Sequence, residues 1–419
     1  MTTAAEVLAR CAELDTHSAD PAMLVRTYLT PEHAQANAAV AGWMQAAGMD
    51  TWVDAAGNQW GRVRPREAGL PALILGSHID TVIDAGSYDG PLGVVMAIAV
   101  VDRLRRRGVA LPFTLEVVAF NDEEGTRFGS ALLGSYAVAG LWDDAWWELR
   151  DADGVGLAEA FRAFGLDPAR VREAARPTDD VVGYLEAHIE QGPLLEQRDV
   201  SLGYVTTIAG ARRFTLSVLG EARHAGGTPY DRRRDALVGA SHAIALIERL
   251  ARHSSTDPAE DDGGFIATVG RIEVHPGAVN VVPGRADFSL DLRAGTDARR
   301  DAAWEQIGRE IAALCAERDL GFEVVERYSA DAAVCAPWLR DAVAAGIAAT
   351  GQSDVPGLWS RAGHDAMAMA RVTDIGMLFL RCHDGISHHP AEDVREVDVA
   401  AGLDALEATV LAVAEAVRS

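Results

Sequence analysis

The chain has 419 residues, enough for two or three domains, and 49% of them are hydrophobic while 24% are charged. This composition excludes a disordered or fibrous protein and provides ample material for a sizeable core. The 38 basic and 62 acidic residues give a formal net charge of -24, which disfavours nucleic acid and anionic membranes as partners. Because no apolar run approaches a membrane span and the first residues do not resemble a signal peptide, we expect a cytoplasmic protein.

The cysteines are few and far apart in the sequence. We therefore predict reduced thiols rather than a disulfide framework or a thiolate metal cluster for Cys11, Cys315, Cys335 and Cys382. Any bound metal must then be held by histidine and carboxylate.

Strand and helix patterns alternate along the first 210 residues. Apolar runs at 72–75, 114–120 and 181–187 predict buried strands, and residues 92–107 predict a helix. Such alternation is typical of a layered α/β domain. Residues 142–176 are predicted to be helical excursions whose tryptophans are packing residues.

Residues 211–328 have a different pattern. Strands are predicted at 213–219, 265–273, 286–293 and 322–328, and helices at 235–252 and 301–318. The order βαββαβ is typical of a small ferredoxin-like α+β domain. The polar segment 254–264 is predicted to be a loop, and a further strand is predicted at 374–380. We therefore expect a discontinuous catalytic domain, 1–210 and 329–419, interrupted by an inserted domain, 211–328.

Histidine or acidic residues stand at or near the ends of the predicted strands of the first domain. They are His78, Asp89 in a Tyr-Asp-Gly turn, the acidic segment 121–125, His188 and His388. Imidazole and carboxylate suit divalent cations, and one carboxylate can bridge two of them. Any one of these residues alone could be a core histidine or a turn aspartate. Taken together, the ordered set predicts a two-metal hydrolase site at the carboxyl ends of strands.

In these motifs the sequence resembles the dinuclear-zinc amidohydrolases related to carboxypeptidase G and aminoacylase. It is most similar to the branch of N-carbamoyl-L-amino acid hydrolases, allantoate amidohydrolases and β-ureidopropionases, from about residue 20 to the C-terminus. The resemblance implies an α/β fold with a mixed sheet and helices on both faces, and an inserted dimerisation or lid domain. It also implies a homodimer and two divalent metal ions, with Zn²⁺ expected and Mn²⁺, Co²⁺ or Ni²⁺ as alternatives.

The resemblance also implies roles for individual residues. Asp89 would bridge the metals, Glu123 would act as the base, and Asp80 would hold the second ring nitrogen of His78. The related peptidases usually have a carboxylate where this chain has His188, which favours the carbamoyl branch. The expected metal ligands are His78, Asp89, Glu124, His188 and His388.

Further residues are implied to bind substrate. His224 would polarise the scissile carbonyl, commonly in the partner subunit's site, and Arg293 suits bidentate carboxylate binding. Each could instead be structural, His224 as a turn histidine and Arg293 as the partner of a nearby acid. Two residues depart from the family pattern, Tyr230 and Arg361. The full expected set of substrate contacts is Gln191, His224, Asn280, Arg293, Gly363 and His364.

These residues predict hydrolysis of a linear amide or ureido C–N bond in a small carboxylate substrate. The expected substrate is an N-carbamoyl-L-amino acid or allantoate, with release of ammonia and carbon dioxide. One alternative is a dipeptidase or aminoacylase of the same clan. Another is a metal-dependent small-molecule binding protein without activity, although such a protein has no need of a base at Glu123.

Overall fold

The computed structural model describes residues 2–63, 69–254 and 264–418, and the chain divides into two compact units. The predicted loop at 254–264 lies almost wholly outside the described residues, and Ser254 ends a helix. The predicted domain limits did not anticipate that a short segment near residue 360 belongs to the second unit. The first unit comprises Met1–Thr206, Val334–Leu358 and Ala362–Ser419, and the second comprises Thr207–Ala333 and Trp359–Arg361.

A nine-stranded mixed sheet lies at the centre of the first unit. Its strand order is β1-β2-β4-β3-β5-β16-β6-β14, with β15 paired to β6. The strands are β1 (Met49–Val53), β2 (Gln59–Val63), β3 (Ala72–His78), β4 (Thr114–Phe120), β5 (Val181–Ile189), β6 (Leu202–Ile208), β14 (Ala333–Val334), β15 (Gly357–Ser360) and β16 (Ile375–Leu380).

The four central strands, β4, β3, β5 and β16, run parallel to one another. Every residue of β3, β4 and β16 is buried, which accounts for the continuous apolar runs in the sequence. Because parallel strands end at the same edge, the segments after β3, β4 and β16 start from one edge of the sheet, where β5 also ends. His78 is the last residue of β3, and His188 is the last but one residue of β5 rather than following the strand as predicted.

Helices cover both faces of this sheet. On β5, Leu185 and Ala187 join a core with helix residues of 91–106 and 396–418, whereas Glu186 points to the other face and accepts the Ala366 N–H at 3.1 Å. The predicted fold class is thereby confirmed. The helices of this unit are α1 (Ala4–Asp15), α2 (Pro31–Ala46), α3 (Pro91–Arg106), α4 (Leu133–Val138), α5 (Leu157–Phe164), α6 (Leu194–Gln197), α9 (Pro337–Ala349), α10 (Ala366–Met369) and α11 (Glu396–Arg418), with 3₁₀ turns at Asp144–Glu148, Pro168–Ala174, Thr178–Asp180 and His383–Gly385.

Helix α3 is the central helix of the first unit. Thirteen of its 16 residues are buried, and residues 91–101 are apolar on every face, whereas its last turn carries three arginines. It begins at Pro91, whose missing N–H would be unpaired there in any case. Gly90 before it has φ 84°, and a Cβ at this position would overlap the imidazole of His78. Glycine therefore allows the helix to begin directly against the ring.

The second unit is an antiparallel sheet covered by two helices. The main sheet has the order β10-β12-β7-β13 with β9 paired to β12, and β8 pairs with β11 in a separate ladder. The prediction of a single strand at 265–273 is wrong. The strand is interrupted around Gly270, and the two short strands on either side pair with different halves of β12. The elements are β7 (Gly210–Leu219), β8 (Arg223–His224), α7 (Ala236–Ser254), β9 (Phe265–Thr268), β10 (Ile272–His275), β11 (Val281–Val282), β12 (Arg285–Ala294), α8 (Asp297–Glu317) and β13 (Gly321–Ala330), with a 3₁₀ turn at Tyr230–Arg232.

Candidate metal centre

Asp89 lies at the centre of the candidate site, and its two oxygens face different histidines. Oδ1 lies 3.1 Å from Nε2 of His188 and 3.7 Å from Nε2 of His78. Oδ2 lies 3.1 Å from Nε2 of His388, which in turn is 3.2 Å from Oε1 of Glu124. The structure thus brings together all five residues that the sequence suggested as metal ligands, from segments as far apart as residues 78 and 388.

The ring orientations of His78 and His188 are set by backbone carbonyls. Nδ1 of His188 lies 2.9 Å from the carbonyl oxygen of Ile189, and Nδ1 of His78 lies 3.1 Å from that of Asp80. Each Nδ1 is therefore the donor, and Nε2 is left to face Asp89. The carboxylate of Asp80, expected to hold the second ring nitrogen of His78, has its Oδ1 3.7 Å from that nitrogen, which is longer than a hydrogen bond.

Instead, the Asp80 carboxylate holds the acidic segment after β4. Oδ1 accepts the N–H of Glu123 at 3.1 Å and Oδ2 accepts that of Glu124 at 3.2 Å. Asp122 precedes them with φ 61°, a left-handed conformation that costs energy for a residue with a side chain. This turn gives both amides to one carboxylate and brings two adjacent glutamate side chains to the site.

Glu123 is buried beside the other candidate ligands. An oxygen of its carboxylate lies within 4.8 Å of ligand atoms of His78 and Glu124, and the part of the chain that the structure describes offers it no hydrogen-bond partner. Burial raises the pKa of Glu123 well above its ordinary value, and Glu124 and Asp365 raise it further against the opposing effect of His78. A carboxylate with these surroundings is suited to taking up and releasing a proton.

The electrostatics of the site favour bound cations. Burial alone would lower the pKa of His78, yet Asp89, Glu123 and Asp80 raise it well above its ordinary value. Asp89 and Glu124 likewise raise the pKa of His388 to about 10. The carboxylates thus produce a negative potential that stabilises positive charge at the site.

The donor atoms fit two divalent metal ions that share Asp89. Among the described residues, four groups each offer three ligand atoms within 4.8 Å of one another, and two of these groups contain Asp89. Imidazole nitrogens and carboxylate oxygens suit zinc and neighbouring first-row metals. The first group is His78, Asp89 and His188, and the second is Asp89, Glu124 and His388.

Several other residues of the first unit surround this centre. Gln191, an expected substrate contact, donates from Nε2 to Oδ2 of Asp89 at 2.8 Å. Gly363 lies beside the proposed base, since a Cβ built on it would be 3.9 Å from Oε1 of Glu123. His364 is buried, and its ring meets that of His188 edge to face with centroids 4.5 Å apart.

Two residues that contact Asp89 were not predicted. The hydroxyl of Ser387 lies 2.6 Å from Oδ2 of Asp89, and Glu392 accepts the backbone N–H of Asp89 at 3.1 Å. The only signal in the sequence is that both belong to the same segment as His388. Neither residue type has a spacing that marks it as functional.

The remaining expected substrate residues lie in the second unit. His224 is exposed at the end of β8, and its Nδ1 accepts the N–H of Gly227 at 2.9 Å, so the neutral ring carries its proton on Nε2. Asn280 is exposed next to β11, whose Val281 pairs with His224.

Arg293 already donates hydrogen bonds to other groups of the protein. Its Nε donates to Asp291 at 2.7 Å, and its Nη1 donates to the carbonyl of Arg361 at 2.9 Å. The two residues that depart from the family pattern lie in the same unit. Tyr230 is 86% exposed, and the guanidinium of Arg361 lies 5.4 Å from the ring centroid of Trp359.

Comparison with known proteins agrees with this geometry. The model of peptidase family M20/M25/M40 matches residues 74–412. The chain belongs to this family. Within the M20 family, allantoate deiminase from Arabidopsis thaliana is 40% identical over 425 residues, which cover 96% of this chain and 81% of that protein. The N-carbamoyl-L-amino acid amidohydrolase from Geobacillus stearothermophilus is 38% identical over 394 residues, 94% of either chain.

A solved structure gives the same result for the fold. An amidase of the hydantoinase/carbamoylase family from Burkholderia multivorans matches with a TM-score of 0.88 at 30% identity, covering 98% of both chains. The family resemblance predicted from the motifs is confirmed, and the M20 family is one of metal-dependent hydrolases. Among the described residues no helix has both the length and the apolar character needed to cross a membrane.

Proposed function

We propose that this M20-family protein hydrolyses a linear amide or ureido C–N bond in a small carboxylate substrate. The substrate is an N-carbamoyl-L-amino acid or allantoate, and ammonia and carbon dioxide are released. One observation carries the proposal: the oxygens of Asp89 face His188 and His388 separately, while Glu123 lies beside them with a carboxylate that bonds no described residue. The names of the Arabidopsis and Geobacillus relatives support the substrate class.

The protein residues have separate tasks in this reaction. Two divalent metal ions would be held by His78, Asp89, Glu124, His188 and His388. Zn²⁺ is the expected ion, with Mn²⁺, Co²⁺ or Ni²⁺ as alternatives. Once bound, the ions would supply Lewis acidity toward the scissile carbonyl and the attacking water. Glu123 takes the proton from that water and returns it to the leaving nitrogen. Asp80 fixes the two amides that position Glu123 and Glu124.

Substrate recognition is assigned to the cationic and amide groups. Arg293 and Asn280 bind the substrate carboxylate, which an acidic protein can hold only by a local cationic group. His224 donates from Nε2 to the oxygen that becomes negative in the transition state. Gln191, Gly363 and His364 are the further expected substrate contacts. The protein acts in the cytoplasm as a homodimer, because His224 is expected to serve the partner subunit's site.

A substrate panel on metal-reconstituted protein tests the proposal. The panel contains dipeptides, N-acyl amino acids, N-carbamoyl-L-amino acids and allantoate, and the measurements are ammonia release and amine formation with and without chelator. We expect chelator-sensitive turnover of a carbamoyl compound or allantoate. Turnover of dipeptides or N-acyl amino acids alone would indicate a peptidase or aminoacylase. Two bound metals without any turnover would indicate a binding protein.

A further inference from the structure

Glu392 joins the two segments of the chain that meet at Asp89. Its Oε1 accepts the backbone N–H of Tyr88 at 2.7 Å and that of Asp89 at 3.1 Å. Its Oε2 lies 2.9 Å from the hydroxyl of Ser387. Glu392 is only 5% exposed, so these contacts form away from bulk water, where hydrogen bonds of a carboxylate are strong.

Ser387 connects Glu392 to the Asp89 side chain. Its hydroxyl lies 2.6 Å from Oδ2 of Asp89, the oxygen that also accepts from Gln191. Ser387 has one hydroxyl proton, which it shares between this oxygen and Oε2 of Glu392, so Gln191 and Ser387 both act on Oδ2 of Asp89 while Oδ1 remains directed at His188. The carboxylate cannot rotate without losing these bonds. Its orientation, with one oxygen for each histidine group, is thus set before any ligand binds.

We propose that Glu392 is a positioning residue that presents the Asp89 carboxylate to two metal ions at once. It acts on the Asp89 backbone directly and on the Asp89 side chain through Ser387. This inference rests on the proposed metal centre and assigns a role to a residue outside the ligand set. Groups that orient metal ligands typically change metal affinity or activity 10- to 100-fold when they are removed.

Gly86 offers an independent way to disturb Glu392. A Cβ built on Gly86 would overlap the side chain of Glu392, including its carboxyl group. Gly86→Ala therefore displaces Glu392 without altering its chemistry. If Glu392 positions Asp89, this single methyl group should reproduce part of the effect of Glu392→Ala.

The alternative is that Glu392 only stabilises the turn at residue 88, and a conservative variant separates the two roles. In Glu392→Gln the amide oxygen can still accept from Tyr88 and Asp89, and the amide nitrogen can donate to Ser387. Glu196→Ala is the matched control, because Glu196 accepts the backbone N–H of Asp384 at 2.7 Å in the same C-terminal segment without contacting Asp89.

The experiment measures metal content by mass spectrometry and metal affinity by competition with a chromogenic chelator, using Zn²⁺ and full-length protein. We expect Glu392→Ala and Ser387→Ala to weaken Zn²⁺ binding about 10- to 100-fold. Gly86→Ala should follow them more weakly, and Glu392→Gln and Glu196→Ala should retain wild-type affinity.

Wild-type affinity in both Glu392→Ala and Ser387→Ala would overturn the inference. If Glu392→Ala does not fold, Ser387→Ala and Gly86→Ala decide the question by the same measurement. A wild-type protein that binds no metal would contradict the proposed metal centre as well, whereas two metals bound equally by wild type and variants would contradict the role of Glu392 alone.

Discussion

Asp80 accepts the backbone N–H of Glu123 at 3.1 Å, although the two residues are 43 positions apart in the chain. Its other oxygen accepts the amide of Glu124, so one carboxylate fixes both the proposed base and a proposed ligand. In Asp80→Asn an NH₂ group would face one of these N–H groups. We expect metal affinity or kcat to fall about 10- to 100-fold.

Asp54→Asn provides the control for this prediction. Asp54 accepts the N–H groups of Ala56 and Asn58 in the turn between β1 and β2, and it reaches the acidic segment only indirectly, through the side chain of Asn58. It should lower the unfolding midpoint and leave zinc affinity unchanged. Equal effects of the two substitutions on zinc affinity would contradict the role given to Asp80.

Replacing Glu123 by Gln should abolish turnover without releasing metal. The amide has nearly the same shape but cannot accept a proton, and loss of a general base typically costs about 10²- to 10⁴-fold in rate. The measurements are kcat and metal content of the purified variant. Glu124→Gln is the matched comparison, and it should reduce the metal content instead. Retained activity in the Glu123 variant would remove it from the base role.

Arg293→Ala should raise KM for carboxylate substrates with a smaller effect on kcat. A hydrogen bond to a charged group is worth about 1.5–3 kcal/mol, so we expect KM to rise about 10- to 100-fold. Arg213→Ala serves as the control, because Arg213 also pairs with Asp291, at 2.8 Å. If both variants raise KM equally, the effect comes from Asp291 and not from an anion site at Arg293.

His33 should make the folded protein less stable at low pH. It is fully buried, its Nδ1 accepts the N–H of Leu29, and burial together with Arg26 lowers its pKa from 6.5 to about 3. Between these values the unfolded chain binds a proton that the folded protein does not. The contribution of neutral His33 to the free energy of unfolding is therefore fully present above pH 6.5 and is lost as the pH falls toward 3.

The difference between the two pKa values of His33 corresponds to about 5 kcal/mol. Urea unfolding at several pH values between 6.5 and 3 measures the slope of the unfolding free energy against pH. His33→Asn can keep the acceptor for Leu29, and it should show a shallower slope than wild type. An unchanged slope would mean that other buried groups account for the acid sensitivity.

The thiols should be unreactive in the folded protein. All four cysteines, predicted to be reduced thiols, are free and also buried, and burial raises the pKa of Cys382 to about 11 and that of Cys335 to about 12. Because the thiolate is the reactive form, a colorimetric thiol reagent should label none of them in buffer and all four in guanidinium. Rapid labelling of the native protein would contradict this prediction.

The sequence allowed the ligand set to be predicted because His78, the segment 121–125 and His188 lie at or just after apolar runs, and the family resemblance added Asp89 and His388. His78 and the segment 121–125 carry this local signal, and parallel pairing of β3 and β4 brings them to one edge. Strands β3, β4, β5 and β16 and helices α3, α7 and α8 were predicted from such apolar patterns. The interruption of the strand at Gly270 was missed because β-forming residues lie on both sides of it. Their sequence does not show that the two sides pair with different halves of β12.

Other features had no local signal at all. The bond from Asp89 to Glu392 joins residues 303 positions apart, and it exists only after the C-terminal segment has packed against the turn at residue 88. The family resemblance assigned the Asp80 carboxylate to His78 and gave no sign that it also accepts two backbone amides, which only the fold brings near.

The close approach of Gly90 to His78 constrains how this enzyme can be altered by design. Because a side chain at residue 90 would occupy the space of the imidazole, residues 78 and 90 form a single unit for engineering. A library that varies the turn around Asp89 to change metal or substrate preference should keep Gly90 and vary other positions of the turn. Any larger residue there would first have to displace the ring that the library is meant to retain.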